Sequence, residues 1–293
     1  MAESQKPDIR AVKKNGAKVD FATIAGLFVA FGGILGGLMF EGGKVRDILQ
    51  FTAAMIVLGG TIGAVLVSMP VKVLKGGLRR LKSVVLDSTP PLDLLINEVI
   101  GYATAARKNG LVSLEDAALK IEDPFLRKAL NLAVDGTDLQ EIRKMLEMEI
   151  SIEEQRAEAD AKVFEAAGGY APTIGIIGAV LGLIQVMKNL ANIEEVGHGI
   201  AVAFVATVYG VGVANLMFLP AATKIKARAS AETQRREVIV EGVSGIVEGL
   251  NPKLIRVRLE AFDQDGPVKE KKKKAPEGAA NSLESHGAQE KTA

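Results

Sequence analysis

Four runs of apolar residues, none broken by a charge, set the terms for this chain: Phe21 to Phe40, Phe51 to Met69, Gly168 to Met187 and Gly199 to Leu219. Each holds about 20 residues, the length at which a helix spans a hydrocarbon core of roughly 30 Å. The first run is not a cleavable signal segment. It is too long, and Glu41-Gly42-Gly43 follows it instead of a small-residue cleavage site. The expected fold class is therefore all-α: a polytopic membrane protein with four transmembrane helices.

The flanking cations orient the spans. Lys6, Arg10, Lys13, Lys14 and Lys18 precede the first; Lys72, Lys75, Arg79, Arg80 and Lys82 follow the second; Lys224, Lys226, Arg228, Arg235 and Arg236 follow the fourth. The other two loops carry only Lys44 and Arg46 in one case and Lys188 in the other. Because cationic loops stay inside, both termini and the long central segment are expected in the cytoplasm.

Between spans two and three the chain is polar. Ile142, Met145, Leu146 and Ile150 recur at helical spacing, and Pro90-Pro91, Asp123-Pro124 and Asp135-Gly136 punctuate the segment. The expected organisation is a cytoplasmic leader at 1–20, spans one and two at 21–69, and a helical cytoplasmic domain at 70–167. Spans three and four follow at 168–220, a cytoplasmic C-terminal helix at 221–262, and a disordered Lys-rich tail at 263–293. Lys271 to Lys274 in that tail read as solvated charge.

Composition excludes several function classes. Lys plus Arg number 36 against 35 Asp plus Glu, so no net field favours nucleic acid. There is no Cys, hence neither a disulfide framework nor a thiolate metal site. The chain has no Gly-x-Ser-x-Gly elbow, His-Glu-x-x-His helix or P-loop, which argues against an enzyme. No cofactor or metal is expected.

Two features of the spans bear on chemistry. The first is their small residues: Gly32, Gly33, Gly36 and Gly37 in span one, Gly59, Gly60 and Gly63 in span two, Gly175, Gly178 and Gly182 in span three, Gly210 and Gly212 in span four. Such residues let helix backbones approach in lipid, either within one subunit or between copies, and their abundance points to an oligomer. The second is an absence. No span interior holds Asp, Glu, Lys, Arg or His; the polar residues there are hydroxyls and amides, among them Thr23, Thr61, Thr173, Gln185, Thr207, Tyr209 and Asn215. Proton-driven machines place an ionisable group inside the membrane, so any such group has to come from a partner. Pro172 and Pro220 are expected at about the same depth, because spans three and four run oppositely. Either they are ordinary terminal prolines or they form a paired hinge.

At these residues a resemblance appears. Ala171-Pro172-Thr173-Ile174-Gly175-Ile176-Ile177-Gly178-Ala179-Val180-Leu181-Gly182-Leu183 resembles the third span of the MotA family, and Gly199 through Gly210, on to Asn215 and Phe218-Leu219-Pro220, resembles its fourth. Asp20 to Gly43 and Val57 to Ala64 are similar to the first pair. The resemblance covers about residues 18 to 260.

It implies a stator subunit of the flagellar motor, five copies of which ring the single spans of two MotB-like chains in the inner membrane. The peptidoglycan-anchored partner brings the membrane aspartate, ions pass along spans three and four, and the cytoplasmic domain pushes on the rotor protein FliG. Carried over by position, the resemblance makes Pro172 and Pro220 the conformational prolines, Thr173 and Thr207 the ion-path hydroxyls, and Arg107 and Glu115 the rotor-contacting charges. Glu149 is a weaker member of the last group. Sodium-type members are similar but carry Thr where this chain has Ala179 and Ala206. A desolvated sodium ion needs several oxygen ligands, so these alanines imply proton coupling. The competing expectations are an ExbB- or TolQ-like energiser, which has three spans, and a membrane assembly protein without ion flux.

Overall fold

The computed structural model describes residues 18–87 and 90–262. The leader before Lys18 and the Lys-rich tail lie outside the described residues. A two-residue strand β1 (Lys18–Val19) leads into helix α1 (Phe21–Phe40), and a single helical turn at Val45–Ile48 connects to α2 (Phe51–Ser68). Then come α3 (Val71–Val85), β2 (Leu86–Asp87), α4 (Leu92–Asn109), α5 (Glu115–Ala118) and α6 (Pro124–Val134). Two very long helices follow, α7 (Leu139–Lys188) and α8 (Ile193–Val247), and a short α9 (Pro252–Glu260). The fold is all-α but for the two-residue antiparallel ladder in which Lys18 pairs with Asp87 and Val19 with Leu86.

Helices α1, α2, α7 and α8 are each long and apolar enough to cross a membrane. In hydrocarbon a helix satisfies its own backbone, which is why these runs cross as helices and turn only outside the apolar stretches. The starts are capped by sequence: Asp20 accepts from the Thr23 N–H at 3.2 Å, Asp138 from Gln140 at 2.9 Å and Asn192 from Glu194 at 3.1 Å. α7 is one 50-residue rod, about 75 Å long at 1.5 Å per residue, and no break separates its polar half from its apolar half.

That continuity changes the domain picture. The extramembrane domain is not self-contained between spans two and three. Its core joins Leu95, Val99 and Tyr102 of α4, Leu126 and Leu130 of α6, and Ile142 and Leu146 of α7. The far end of α8 (Val238, Ile239, Val243) and α9 (Ile255, Leu259) complete the same core. The segment expected as a separate C-terminal helix thus supplies part of that domain's core. Inside it the Tyr102 hydroxyl donates to Glu98 at 2.9 Å, and burial, reinforced by the Glu98 charge, pushes the phenol pKa up.

A collar of ion pairs ties the span ends together on one side. Asp20, ahead of α1, meets Lys224 at 2.5 Å and Arg228 at 3.0 Å on α8. Its backbone N–H donates to Val85 of α3 at 2.8 Å. The hydrogen bond from Lys224, then that from the Thr23 N–H, draws the Asp20 carboxyl down to about 2. Arg80 of α3 bridges Glu153 at 2.6 Å and Asp160 at 2.7 Å on α7. Burial opposes its charge, but the two carboxylates outweigh that and raise its pKa. Lys226 and Glu165 pair at 2.7 Å. The starts of α1 and α3 and the ends of spans α2 and α8 therefore share one face of the membrane.

Candidate functional site

Spans α7 and α8 pack antiparallel along matched stripes of small residues, Ala171, Gly175, Gly178 and Gly182 on one and Gly199, Ala203, Ala206 and Gly210 on the other. The approach is backbone to backbone. A Cβ at Gly175 would stand 2.9 Å from the Ala206 carbonyl, one at Gly182 2.7 Å from the Gly199 carbonyl, and one at Gly210 2.6 Å from the Ala171 carbonyl. Only glycine permits this seam, and dispersion across it holds the pair in a solvent that offers no hydrophobic drive.

One side of the pair is already occupied. α2 packs there, with Ala53 and Val57 clustering on Val205 and Ala206, and Gly60 lying under Ile174. Helical periodicity puts Pro172, Ile176, Ala179 and Leu183 on the opposite side of α7, and Ile200, Phe204, Thr207 and Val211 on the same side of α8. This second side is open: Ile176 is 58% exposed and Phe204 72%. It carries hydroxyls and apolar side chains but no titratable group.

The sequence-based site residues divide across this geometry. Thr173 is exposed at the border of the open side, and Thr207 is half-buried on it. The backbone of Thr207 lies against Gly175, so the two threonines stand within one helical turn along the pair, about 5 Å. Each hydroxyl proton is already engaged, Thr173 donating to the Tyr170 carbonyl at 2.8 Å and Thr207 to the Ala203 carbonyl at 3.2 Å. What they turn outward is lone pairs, suited to accept from a hydronium or a protonated carboxyl. Ala179 is half-exposed on the open side. Ala206 is not on that face: it is fully buried in the seam, its methyl 2.7 Å from where a Cβ on Gly178 would sit.

The two prolines are not level. With Ala171 set against Gly210, Pro172 lies beside the Tyr209–Val211 stretch, roughly 14 Å short of Pro220 along the helix axis. The expectation of paired kinks at one depth fails because the seam register, which only packing sets, staggers the spans. Pro172 sits inside the unbroken α7. Pro220 follows a π-helical turn at Ala214–Phe218, an inserted residue that accommodates the missing proline N–H.

Arg107 and Glu115 flank the left-handed turn at Gly110 (φ 83°), both exposed, and neither forms an ion pair among the described residues. Glu149 is paired with Lys128 at 2.6 Å on another part of the domain surface. Sequence reasoning missed Tyr209 as a structural residue. Its hydroxyl donates to the Ile48 carbonyl at 2.5 Å and accepts from the Gln50 N–H at 3.3 Å, clamping the first loop to α8. The only signal was a phenol inside an apolar run. It also missed Asp20 and Arg80, whose partners lie more than 70 residues away in the chain.

Comparison with known proteins places this geometry. Residues 24–96 match the family model for the motility protein A N-terminal region, and residues 117–238 that of the MotA/TolQ/ExbB proton channel family. Over 268 residues the chain is 34% identical to motility protein A of Bacillus subtilis, covering 91% of this chain and 98% of that protein. The chain belongs to the motility protein A family. Two solved structures agree with this assignment. The MotAB structure from C. jejuni superposes with a TM-score of 0.81 at 33% identity over 85% of this chain and 98% of that one. The flagellar MotAB stator complex from Bacillus subtilis gives 0.76 at 33% identity over 82% and 95%. The chain described here is a multi-pass membrane protein.

Proposed function

We propose that this chain is a stator subunit of the bacterial flagellar motor, forming with a MotB-like single-span partner a path whose ion flow is converted into rotation. One observation carries the reading. The α7–α8 pair presents an open side bearing threonine lone pairs and no carboxylate, in a chain that matches MotAB complexes across most of its length. A membrane Asp on the partner's helix, laid along that side beside Thr173 and Thr207, completes the proton relay that this chain lacks. The match of residues 24–96 to the motility-specific N-terminal region favours the motor over an ExbB- or TolQ-like energiser.

The finer assignments follow from the same reading. The unpartnered glycine face of α1 and the open side of α7 and α8 support a closed ring, read as a pentamer around a partner dimer anchored to peptidoglycan. The cation-rich collar supports an inner-membrane location with both termini cytoplasmic. Arg107 and Glu115, exposed and free of ion pairs among the described residues, suit the rotor contact with FliG. Pro220, with its π turn, is the better-placed joint between span and lever, while Pro172 borders the ion path. Alanine at 179 supports protons as the coupling ion, because that position on the open side offers no ligand oxygen, whereas Ala206, sealed in the seam, does not bear on the choice.

The test is to reconstitute the full chain with its MotB-like partner in vesicles and to measure proton uptake, alongside motility of cells lacking their own stator. Flux is expected to need the partner's membrane Asp and to fall when Thr207→Val removes the hydroxyl. A complex that assembles but passes no protons, or one whose motility depends strictly on sodium at a fixed proton gradient, overturns the proposal.

A further inference from the structure

Helix α3 has a face that nothing in the chain uses. Its 15 residues extend about 22 Å, and both ends are pinned to the ends of membrane spans. At its start, only Met69 and Pro70 separate it from α2, and both are extended, which turns the chain sharply as it leaves the apolar run. At its end, Val85 accepts from the Asp20 N–H at 2.8 Å beside the first turn of α1, and Leu86 accepts from Arg228 of α8 at 2.5 Å. A rod tethered at both ends to points where spans exit the bilayer lies along the membrane surface.

The back of that rod is taken. Gly76 and Gly77 lie directly on α7, where a Cβ at Gly77 would stand 3.0 Å from the Asp160 carbonyl, and Arg80 turns inward to Asp160 and Glu153. The front has two adjoining stripes. Val71, Leu78, Leu81 and Val85 form one apolar line at helical spacing, with Val71 63% and Leu78 68% exposed, while Leu74 beside them turns inward onto the Val84 and Phe164 cluster. Lys72, Lys75, Arg79 and Lys82 run beside it, all exposed, and none makes an ion pair among the described residues. No acid lies on the helix to neutralise them.

We propose that α3 is a docking surface for anionic phospholipid, its apolar stripe seated at the level of the upper acyl chains and its four cations gathering headgroup phosphates. An apolar stripe flanked by unpaired cations on a surface-lying helix matches the chemistry of an anionic leaflet. Charge complementarity is what separates this occupant from a second copy of the chain, since a covering protein surface would have to supply several acids. Arg80 then works as the coupling. It fixes the lipid-bound helix to Glu153 and Asp160 on α7, about 22 and 12 Å along the same continuous rod from the Gly168 start of the span that carries Pro172 and Thr173.

The chain contains no Trp, so a single introduced indole reports without background. Leu78→Trp in the full-length protein, reconstituted in bilayers, is read with brominated phosphatidylglycerol diluted into plain phosphatidylcholine, and with brominated phosphatidylcholine at the same fraction. Stronger quenching by the anionic lipid is expected. The enrichment should shrink roughly fivefold for each charge removed in Lys75→Gln, Arg79→Gln and Lys82→Gln. Raising salt on the Leu78→Trp protein should shrink it likewise, which serves if the charge variants insert poorly. Equal quenching by both lipids, unchanged by the substitutions or by salt, refutes the headgroup site. Quenching by aqueous iodide but by neither lipid refutes the surface placement. Shielding from lipid and iodide alike means that a second protein surface covers α3, and overturns the proposal as well.

Discussion

Gly182→Ala places one methyl group into a tight part of the α7–α8 seam. The added carbon would meet the Gly199 carbonyl oxygen at 2.7 Å, the Ala203 nitrogen at 2.8 Å and the Ala203 methyl at 3.0 Å. Two of these partners are backbone, so no side chain can swing aside. To restore ordinary contact near 3.4 Å the helices must part by ~0.7 Å. A gap of that size forfeits a quarter to a half of each nearby contact worth about 0.1–0.2 kcal/mol. Over some 40 atom pairs, about the number a buried Leu makes, the loss is ~2 kcal/mol. Alanine's better helix propensity returns at most ~1 kcal/mol, so a net loss of about 1–2 kcal/mol remains. The matched control is Gly33→Ala on α1, where the new methyl meets nothing within 4 Å and stability should hold or rise slightly. The assay is thermal unfolding of the solubilised chain in one detergent. About 1–2 kcal/mol corresponds to a fall of roughly 2–3 °C for a chain of this size. If Gly182→Ala melts with the parent, or if Gly33→Ala falls as far, the seam is not what holds the spans.

Three further outcomes follow from the same geometry. Asp20→Asn should loosen the start of α1 from Lys224 and Arg228, seen as earlier proteolysis near residue 20. Because the Asp20 carboxyl is depressed to about 2, its contribution is fully present above the ordinary carboxylate range near 4 and is lost as pH falls from there through about 2, measurable as acid-sensitive melting that the Asn variant lacks. Arg80→Ala leaves Asp160 without its cation and Glu153 with only the longer 3.9 Å contact to Arg156, and should cost about 1–2 kcal/mol by thermal melting, with Arg80→Lys restoring only part because it cannot engage both carboxylates through a fork. Ala206→Thr should lower the melting temperature, since the buried methyl already sits against Gly178, whereas Ala179→Thr on the open side should melt like the parent; equal melting of the two would mean that both positions face open space.

Much of this protein was legible without coordinates because the bilayer is a demanding solvent. An uncharged run of 20 residues has few fates, and the cations at its ends record which side they face. The motif from Ala171 to Leu183 was legible for a related reason: small residues three and four apart announce a close helix crossing. Individual site residues were less legible. Thr207 and Ala206 are adjacent in sequence, yet one borders an open face and the other is sealed behind α2. Periodicity says that they point apart by about a quarter turn, but not which of them meets a neighbour. The prolines illustrate the same limit. Their depths depended on how two rods slide past each other, and the seam of Gly175, Gly182, Gly199 and Gly210 alone settles that.

By itself, then, the sequence determined the number of spans, their helical state, the absence of a titratable group within them and the need for small residues between them. These follow from local composition in a solvent that tolerates no unpaired backbone and few charges. Tertiary structure decided the rest: the register of α7 on α8, the side of that pair which α2 covers, the merging of the two polar segments into one core, and the pinning of α3 to three span ends by Asp20, Arg80 and Arg228. Each of these joins residues far apart in the chain, and their energies exist only once the distant partner has arrived.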